Sequence, residues 1–419
     1  MPGRIRVLDA MNRTMQRLGY LKMLCAVVNE SETSNLASLG KRLIERVTGR
    51  VKLDPPFGEE IRDYARTRLT DSAYRDLRKA LLAPATSSSV RVELQDLYLS
   101  DPRMPSRTGK LVDANWRRYP YFGTAIDLIK KGTYSALTRS LVLLAVTPKE
   151  ELAAFKQHDP ENNPLLLSDA QSLVLLYCLI DNDSEVLLPL FQALALIPGT
   201  GFDEREAGDL LPEIIRNAVK GFRAGGVTPE ERDRLSVLTK AAANIEKWKG
   251  KAYTGSGARE EAIRVRLEPF CDLGFLAKPD RDRFSYESTW GLASLMRAWG
   301  SHADTDAFLQ KQFFGAFAQS RRMRVSPADD VEAAHALADA GKALKSSLGY
   351  NPITDVGLLA GIRLLTEKGR TLELGRTTEL LKSLQKQDPS FVRFTVDRMG
   401  VMAYVKFLKA EPCAVGGAT

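Results

Sequence analysis

The chain has 419 residues, of which 44% are hydrophobic, and its 60 basic against 52 acidic side chains give a formal net charge of +8. This length predicts several domains, and the hydrophobic content excludes a largely disordered chain. The pI of about 9.2 favours a polyanionic partner.

The cysteines lie far apart, and none belongs to a C-x-x-C pair or stands at ligand spacing from a histidine: Cys25, Cys178, Cys271 and Cys413. This spacing argues against a structural zinc site and a disulfide framework and favours a reducing compartment. The richest apolar stretch, residues 137–146, contains Arg139 and is half the length needed to cross a bilayer. We therefore expect a cytoplasmic protein with no cofactor, no metal and no membrane partner.

A helical N-terminal domain is predicted over residues 1–83. Its apolar spacing indicates four helices, which we place at residues 5–29, 35–47, 58–69 and 72–82. The small and polar residues 83–90 then predict a linker.

A second helical segment, residues 91–159, contains a basic loop interleaved with aromatic residues over positions 103–121. The residues that we predict to contact nucleic acid there are Arg103, Arg107, Lys110, Trp116, Arg117 and Arg118. Guanidinium groups neutralise phosphates, and aromatic rings stack on exposed bases. The alternative is that the rings anchor a long loop on the core while the arginines are solvated.

The third segment, residues 165–300, starts as a compact helical unit. Apolar positions predict helices over 169–180, 184–196, 211–222 and 229–248. Two helix starts are marked by capping boxes, one from Ser168 to Gln171 and one from Thr228 to Glu231.

Residues 258–290 carry the most informative pattern. Ile263, Leu267, Phe270 and Leu273 recur at helical spacing, so one face of a helix over 259–273 is apolar, with Leu267 and Phe270 buried. Gly274 then permits a turn. Residues 275–286 alternate around turn-forming residues 278–282, which predicts a β-hairpin with a charged tip.

A helix followed directly by a basic-tipped hairpin resembles the recognition helix and wing (residues 274–286) of the winged helix-turn-helix superfamily. The resemblance covers roughly thirty residues and identifies no single family. It implies a helix in the major groove of duplex DNA and a wing on the backbone or minor groove. The basic residues that would contact DNA are Arg259, Arg264, Arg266, Lys278, Arg281 and Arg283.

The last segment, residues 326–410, repeats this pattern less completely. Ser326 and Pro327 predict a helix start, and a helix over 353–367 is expected to end at Gly369. A short strand over 372–374, a helix over 377–387 and a hairpin formed by 391–396 and 401–408 follow. This order approximates a second winged helix with one helix fewer.

No enzyme signature is present in the sequence. Gly40-Lys41 and Gly341-Lys342 lack the remainder of a phosphate-binding loop. Arg297 and His302 have a spacing similar to the R-x4-H motif of HEPN ribonucleases, but Gly300 between them indicates that the helix ends there. The alternative is an exposed arginine and a helix-terminal histidine beside a core Trp299.

We therefore predict a mainly α, multidomain protein that binds duplex DNA without catalysis, in a bacterial DNA-processing or phage-defence setting. Binding would use the winged helix at residues 258–286 and a second, less complete one within residues 326–410. A docking subunit of a multiprotein assembly is the first alternative. A HEPN-like ribonuclease is the second. A docking subunit would show no steep salt dependence of DNA binding. A HEPN-like ribonuclease would cleave RNA, and this cleavage would depend on His302.

Overall fold

The computed structural model describes residues 5–8, 18–30, 118–129, 144, 167–224, 228–247, 258–280, 283–286, 289–344, 349–396 and 402–409. Over these residues the chain is mainly helical with small sheets, as predicted. The described residues form two compact units. Unit 1 draws them from Met1–Thr133, Ala145–Leu167 and Asn182–Thr289, and unit 2 from Tyr134–Leu144, Ser168–Asp181 and Trp290–Thr419.

This division differs from the four consecutive segments that the sequence indicated. Each unit is assembled from separated stretches of chain. The long helix over residues 169–194, which contributes to both, is kinked at Asp183, whose φ of −135° and ψ of 19° are not helical. The two predicted helices over 169–180 and 184–196 are the two halves of this helix. Linker composition reveals boundaries only between consecutive domains, so a discontinuous unit leaves no such mark.

Unit 1 is built of helices and one antiparallel sheet of three strands. Its elements are α1 (Gly19–Glu30), α2 (Arg118–Ala125), the second half of α3 (Asp169–Leu194), β1 (Gly201–Asp203), α4 (Glu204–Ala224), α5 (Pro229–Glu246), α6 (Ala258–Asp272), β2 (Leu276–Asp280) and β3 (Arg283–Tyr286). Helix α4 packs on α5 and α6, and α6 packs on β2.

The predicted helix and hairpin over 259–286 are confirmed by α6, β2 and β3. Leu267 and Phe270 are fully buried, and Gly274 makes the turn with a φ of 70°. Strand β1 was not expected. It pairs with β3, which gives the strand order β1-β3-β2, and the ring of Phe202 on β1 stacks on Phe284 of β3 with centroids 5.7 Å apart.

The first predicted helix, over 5–29, is wrong at its start. Residues 5–8 are not helical, although all four are buried. Their backbone is held by other elements of unit 1: the amide of Glu185 donates to the carbonyl of Arg6, and the Arg234 side chain donates to that of Val7 over 2.7 Å. The apolar spacing that suggested helix therefore reflects the burial of a segment without regular secondary structure.

Unit 2 consists of helices, a three-stranded sheet and a short parallel strand pair. Its elements are the first half of α3, then α7 (Thr289–Gly300), α8 (Thr305–Lys311), α9 (Phe313–Ser320), β4 (Ser326–Pro327), α10 (Asp330–Leu344), β5 (Asn351–Pro352), α11 (Ile353–Lys368), β6 (Arg370–Thr371), α12 (Leu374–Gln387), β7 (Val392–Val396) and β8 (Met402–Phe407). Helices α10, α11 and α12 pack on one another around a core that contains Leu337, Leu359, Leu381 and Val405.

The predicted hairpin near the C-terminal end is confirmed by β7 and β8, and α11 ends at Gly369 with a φ of 63°, as predicted. Two neighbouring predictions are wrong. Ser326–Pro327 is a strand rather than a helix start, and its partner is β6 (Arg370–Thr371), two residues before the strand expected at 372–374. Helix α10 begins only at Asp330, where the Asp329 carboxylate accepts from the amide of Glu332 over 2.8 Å.

Both units share one topology that the sequence showed only in part. In unit 2 the order is α10, β5, α11, α12, β7 and β8, and β5 pairs with β8 to give the strand order β5-β8-β7. In unit 1 the same sheet order arises from β1, β3 and β2, with one additional helix before the hairpin. In unit 2 a helix, α10, thus precedes the first strand of this sheet. Strand β5 has only two residues, too few to give a recognisable alternation.

Two residues, Gly341 and Glu373, determine how neighbouring elements of unit 2 pack together. At Gly341 of α10, a Cβ atom would overlap the ring of Phe407 on β8, so the absence of a side chain lets the sheet lie against the helix. The Glu373 carboxylate, just before α12, accepts from the amides of Phe314 and Gly315 over 3.1 and 2.8 Å. It thereby caps the N-terminus of α9.

The capping boxes predicted at Ser168 and Thr228 are both present. The Thr228 hydroxyl accepts from the amide of Glu231, whose carboxylate accepts from the amide of Thr228. Ser168 and Gln171 form the reciprocal pair at the start of α3. The helices predicted over 35–47, 58–69 and 72–82 lie outside the described residues.

In the part of the chain that the structure describes, no helix is both long and apolar enough to cross a membrane. Cys25, Cys178 and Cys271 are buried in α1, α3 and α6, so these thiols behave as small core residues.

Candidate nucleic-acid interfaces

The predicted DNA-contacting residue Arg266 lies inside unit 1. Its side chain is completely buried, and its Nε lies 2.8 Å from Oδ2 of Asp183, which is also buried. The guanidinium group also donates to the carbonyl of Ala262 over 3.0 Å, and Asp183 accepts from the amide of Leu8 over 2.9 Å. The prediction that Arg266 faces DNA is therefore wrong. Its guanidinium group is paired with Asp183, and this pair links α6 to α3 and to the segment 5–8.

Burial acts strongly on the carboxyl group of this pair. Removal of Asp183 from water raises its pKa to about 6, while the charge of Arg266 and the hydrogen bond from Leu8 oppose that rise. The kink in α3 coincides with this residue. An ion pair at the core of unit 1 therefore holds three separate stretches of chain in register.

A second buried carboxylate neutralises two more of the predicted DNA contacts. Glu204, the first residue of α4, is buried; Arg264 Nε lies 2.6 Å and Lys278 Nζ 3.5 Å from its carboxylate oxygens. Lys278 also pairs with Glu268 over 3.0 Å, and its Nζ lies 4.9 Å from the centroid of the Phe284 ring. Lys278 was expected near an exposed hairpin tip, but the strand directs it inward. Neither side chain presents its charge to a phosphate.

The other basic residues of this helix and hairpin are placed as follows. Arg283 is exposed on β3, and its register partner on β1 is Asp203. Opposite charges directly across a sheet stabilise one another. Arg259 lies in the first turn of α6, and Arg281 lies outside the described residues.

Of the predicted basic loop, Arg103, Arg107, Lys110, Trp116 and Arg117 lie outside the described residues. Arg118 begins helix α2, so the expectation of a loop is wrong over 118–121. Tyr121 of this helix is exposed. Contact of these residues with nucleic acid therefore stays a prediction.

Unit 2 places cations differently, at positions that were not predicted from the sequence. Helix α12 buries Leu374, Thr377, Leu380, Leu381 and Leu384 on one side. Its opposite side exposes Glu379, Lys382, Ser383 and Lys386 at spacings of three and four residues. Lys382 and Lys386 are one turn apart on the same face. This polar stripe lies on the helix that directly precedes the hairpin.

The solvent-facing side of the C-terminal sheet is also basic. Side chains alternate along its strands, so that Val392, Val405 and Phe407 belong to the core. The remaining positions, which we call the outer face, are Arg393, Thr395, Tyr404 and Lys406, together with Tyr350 beside β5. Arg393 is exposed and Tyr404 is 41% exposed.

Strand register orders the outer face into two rows. Arg393 lies directly opposite Lys406, and the Nζ of Lys406 is 5.4 Å from the centroid of the Tyr350 ring. The next row consists of Thr395, Tyr404 and Pro352 on the three strands. Two like charges directly opposite each other destabilise a sheet. In unit 1 the corresponding hairpin residue Arg283 faces an aspartate instead.

The sequence contained part of this information. Alternation over 391–396 and 401–408 predicted both strands, but the pairing of Arg393 with Lys406 depends on the register. The register of β7 against β8 shifts between Thr395 and Val396, which changes the residues that lie opposite each other. The sequence alone does not locate such a bulge.

Arg297 and His302 are arranged as the non-catalytic interpretation expects. Helix α7 ends at Gly300, before the histidine, and Trp299 is buried in the core. His302 Nε2 lies 2.7 Å from the side-chain oxygen of Gln312, and its ring is 5.9 Å from that of Phe308. Arg297 is exposed on α7. The histidine therefore joins the end of α7 to the α8–α9 region.

Among the described residues, no group of three or more histidine, cysteine, aspartate or glutamate side chains is placed to hold a metal ion. No protein-family model matches the chain, and no curated protein and no solved structure matches it either.

Proposed function

We propose that this protein binds nucleic acid, with duplex DNA as its main ligand, and that the helix-and-hairpin parts of both units are winged helices. The observation that carries this proposal is the pair of exposed lysines, Lys382 and Lys386, on the outward side of α12. In a winged helix, the helix that precedes the hairpin enters the major groove. Lys382 and Lys386 would neutralise phosphates there, and Ser383 between them is able to donate to a phosphate or a base edge.

The hairpin of unit 2 supports the same proposal. Arg393, on β7, follows α12 after a short turn that contains Asp388. The Asp388 carboxylate pairs over 2.9 Å with Lys409, which follows β8. A winged helix uses its hairpin to contact the DNA backbone beside the groove that the helix occupies. The helix and the hairpin of unit 2 thus both carry exposed cations, whereas the matching cations of unit 1 are paired with buried carboxylates.

Unit 1 is better suited to a different role. Because Arg264, Arg266 and Lys278 are committed to internal ion pairs, the charge on α6 and its hairpin is largely neutralised. We propose that this winged helix docks onto a protein or onto other parts of a multiprotein assembly. A bacterial DNA-processing or phage-defence complex is a setting in which one DNA-binding and one docking module would be combined.

Binding of a fluorescent duplex, followed by anisotropy between about 50 and 200 mM salt, tests the proposal. Each phosphate contact contributes a slope of about −0.9 to the logarithmic salt dependence, so Lys382→Ala/Lys386→Ala should flatten the slope by about two units. A matched control is Lys220→Ala/Lys240→Ala, which removes the same charge from exposed positions on α4 and α5. Equal flattening by both pairs, or no binding by the native protein at the lowest salt, would exclude α12 as the DNA-reading helix.

A further inference from the structure

We propose that the turn after α9, residues 321–325, contacts the phosphates of the duplex that α12 binds, an inference that rests on the proposed nucleic-acid function. We call this segment the basic turn. It carries Arg321, whose guanidinium carbon lies 5.4 Å from the centroid of the Phe317 ring, and the exposed residues Arg322 and Arg324. Helix α9, the basic turn and α12 all belong to unit 2.

Backbone hydrogen bonds fix both ends of the basic turn. The amide of Met323 donates to the carbonyl of Ala318 over 2.9 Å, which is the longer-range bond of the Schellman motif that ends many helices. At the other end, the amide of Ser326 donates to the carbonyl of Gly369 over 3.2 Å. The cations of the turn therefore project from a backbone that is held in place.

Arg322 has a backbone conformation that favours glycine. Its φ of 55° lies in the left-handed region, where an L side chain is strained. At the end of α11 the chain has Gly369, with a φ of 63°, for a similar turn. An arginine in this conformation points to a role of its side chain that outweighs the strain.

The carboxylates at the start of α10, just beyond the basic turn, are already paired. Asp330 lies 2.6 Å from the guanidinium group of Arg376. Glu332 lies 3.6 Å from that of Arg370. These acidic groups therefore neutralise arginines of α12 and β6 and not those of the turn.

Arg322 and Arg324 keep their charge at the surface. Both are exposed, and neither forms an ion pair in the part of the chain that the structure describes. Glu367 and Lys368, at the end of α11, are exposed and adjacent in the chain, so their charges offset each other. The basic turn is thus a fixed pair of cations that a phosphate backbone can neutralise, with release of counterions.

The basic turn lies close to the start of α12. The side chain of Arg376, in the first turn of α12, donates to the carbonyl of Ala328 over 2.6 Å. Arg324 is four residues before Ala328, and four residues span at most about 14 Å. The major groove of duplex DNA is about 12 Å wide and is bordered by phosphates. A duplex with α12 in its groove therefore carries phosphates at about the distance that separates the basic turn from α12.

A phosphate backbone fits the basic turn better than an acidic peptide does. A peptide would add to the edge of β4 through main-chain hydrogen bonds. Ser326 and Ala328 direct their amides to β6, and Pro327 between them has no N–H to offer on the other edge. Strand addition is thus blocked at β4, whereas guanidinium groups match the geometry of phosphates.

The salt dependence of duplex binding by the full chain, between about 50 and 200 mM, tests the inference. Each lost phosphate contact removes about 0.9 from the logarithmic slope, so Arg322→Ala/Arg324→Ala should flatten it by about 1.8 units. Arg322→Lys/Arg324→Lys keeps both charges and should keep the slope. Lys220→Ala/Lys240→Ala removes two exposed charges from unit 1 and, as the matched control, should leave the slope unchanged.

The stability of the protein alone separates a binding role of Arg322 from a structural one. Arg322→Gly removes the left-handed strain, so it should raise the unfolding midpoint while it flattens the salt slope by about 0.9 units. Arg322→Ala keeps the strain, so it should flatten the slope equally without raising the midpoint. A lower midpoint in both variants with an unchanged slope would mean that Arg322 serves only the turn.

The possible failures are distinguishable. If Lys382→Ala/Lys386→Ala flattens the slope but Arg322→Ala/Arg324→Ala does not, the basic turn is not a duplex contact and the proposed function stands. An acidic protein bound at the turn would give this result. A titration that shows two duplexes per chain would also overturn the inference, because the turn and α12 would then hold separate ligands. If the duplex does not bind at the lowest salt, the proposed function itself fails.

Discussion

Arg266 and Asp183 are 83 residues apart in the chain, yet the guanidinium Nε of one lies 2.8 Å from the carboxylate of the other, and neither side chain is exposed to solvent. Because Asp183 also accepts from the amide of Leu8, this pair joins the segment 5–8 to α3 and α6. A buried ion pair contributes little net stability compared with apolar residues, but the loss of one partner leaves a charge in the core.

Asp183→Ala should therefore destabilise unit 1 by about 3–5 kcal/mol at neutral pH, because a guanidinium group does not give up its proton. Urea unfolding measures this cost. Arg216→Ala, which breaks the exposed pair of Arg216 with Glu246, is the control and should cost about 0–1 kcal/mol. A loss for Asp183→Ala as small as that of the control would mean that water reaches Arg266.

Arg266→Met should make the stability depend on pH. Burial already raises the pKa of Asp183 to about 6, and removal of the opposing cation should raise it further. A carboxyl group with a raised pKa in the folded state stabilises the fold below its unfolded pKa, near 4, and this stabilisation is lost as the pH rises through the folded value. Relative to the native protein, the unfolding midpoints of Arg266→Met should thus fall as the pH rises from about 4 through 6 and above. Parallel pH profiles for the two proteins would contradict this.

Leu267→Ala tests the packing of α6. Leu267 is completely buried, so the substitution should destabilise the protein by about 2–5 kcal/mol, the transfer and cavity cost of a leucine in a core. Denaturant unfolding gives the value. Val237→Ala removes an exposed apolar side chain from α5 and should cost less than about 1 kcal/mol. Similar losses for the two variants would mean that α6 is not packed as described.

Glu373→Ala should destabilise unit 2 by about 1–3 kcal/mol, because the amides of Phe314 and Gly315 lose their acceptor in a part-buried position. Glu373→Gln retains an amide oxygen and should cost less. Hydrogen exchange at Phe314 and Gly315 reports the cap directly, and it should accelerate more in the alanine variant than in the glutamine variant. Unchanged exchange in both variants would show that the carboxylate does not hold α9.

Long helices and hairpins were predictable because their signals are local. The helix α6, the glycine at 369 and the alternation of β7 and β8 each lie within one stretch of chain, and all three are present in the structure. The single apolar face expected for α6 is wrong, because Arg266, Glu268 and Asp272 on its other sides are buried as well. Contacts between distant residues were not predictable. The sequence does not distinguish a buried arginine from a solvated one. Arg266 was therefore predicted to be exposed, although it forms a buried ion pair with Asp183 on another helix.

The candidate site differed from expectation for the same reason. Basic residues were counted on α6 and its hairpin, but their neutralisation by Glu204 and Glu268 depends on how helices and strands pack. On the second hairpin, Arg393 and Lys406 were present in the sequence, but their position opposite each other follows from a register that includes a bulge. Composition therefore identified a basic protein, and packing determined which of its cations remain at the surface.

Two helical glycines allow a matched test of how the C-terminal sheet is held. Gly221 of α4 has open space around it, so Gly221→Ala should stabilise the protein by about 0.5–1 kcal/mol through the better helix propensity of alanine. Gly341→Ala should instead destabilise it by about 1–3 kcal/mol, because the added methyl group meets the ring of Phe407. Thermal unfolding of the two variants should therefore shift in opposite directions. Stabilisation by both would mean that β8 moves away from α10 without cost.

The contact between Gly341 and Phe407 lies directly beneath the strand that carries Lys406. Phe407 is adjacent to Lys406 and points to the other side of the sheet, so the height of the ring above α10 sets the position of the lysine. A methyl group at position 341 would therefore press on the strand that carries Lys406. The size of one residue in a supporting helix is thus linked to the position of a cation on the opposite side of the sheet.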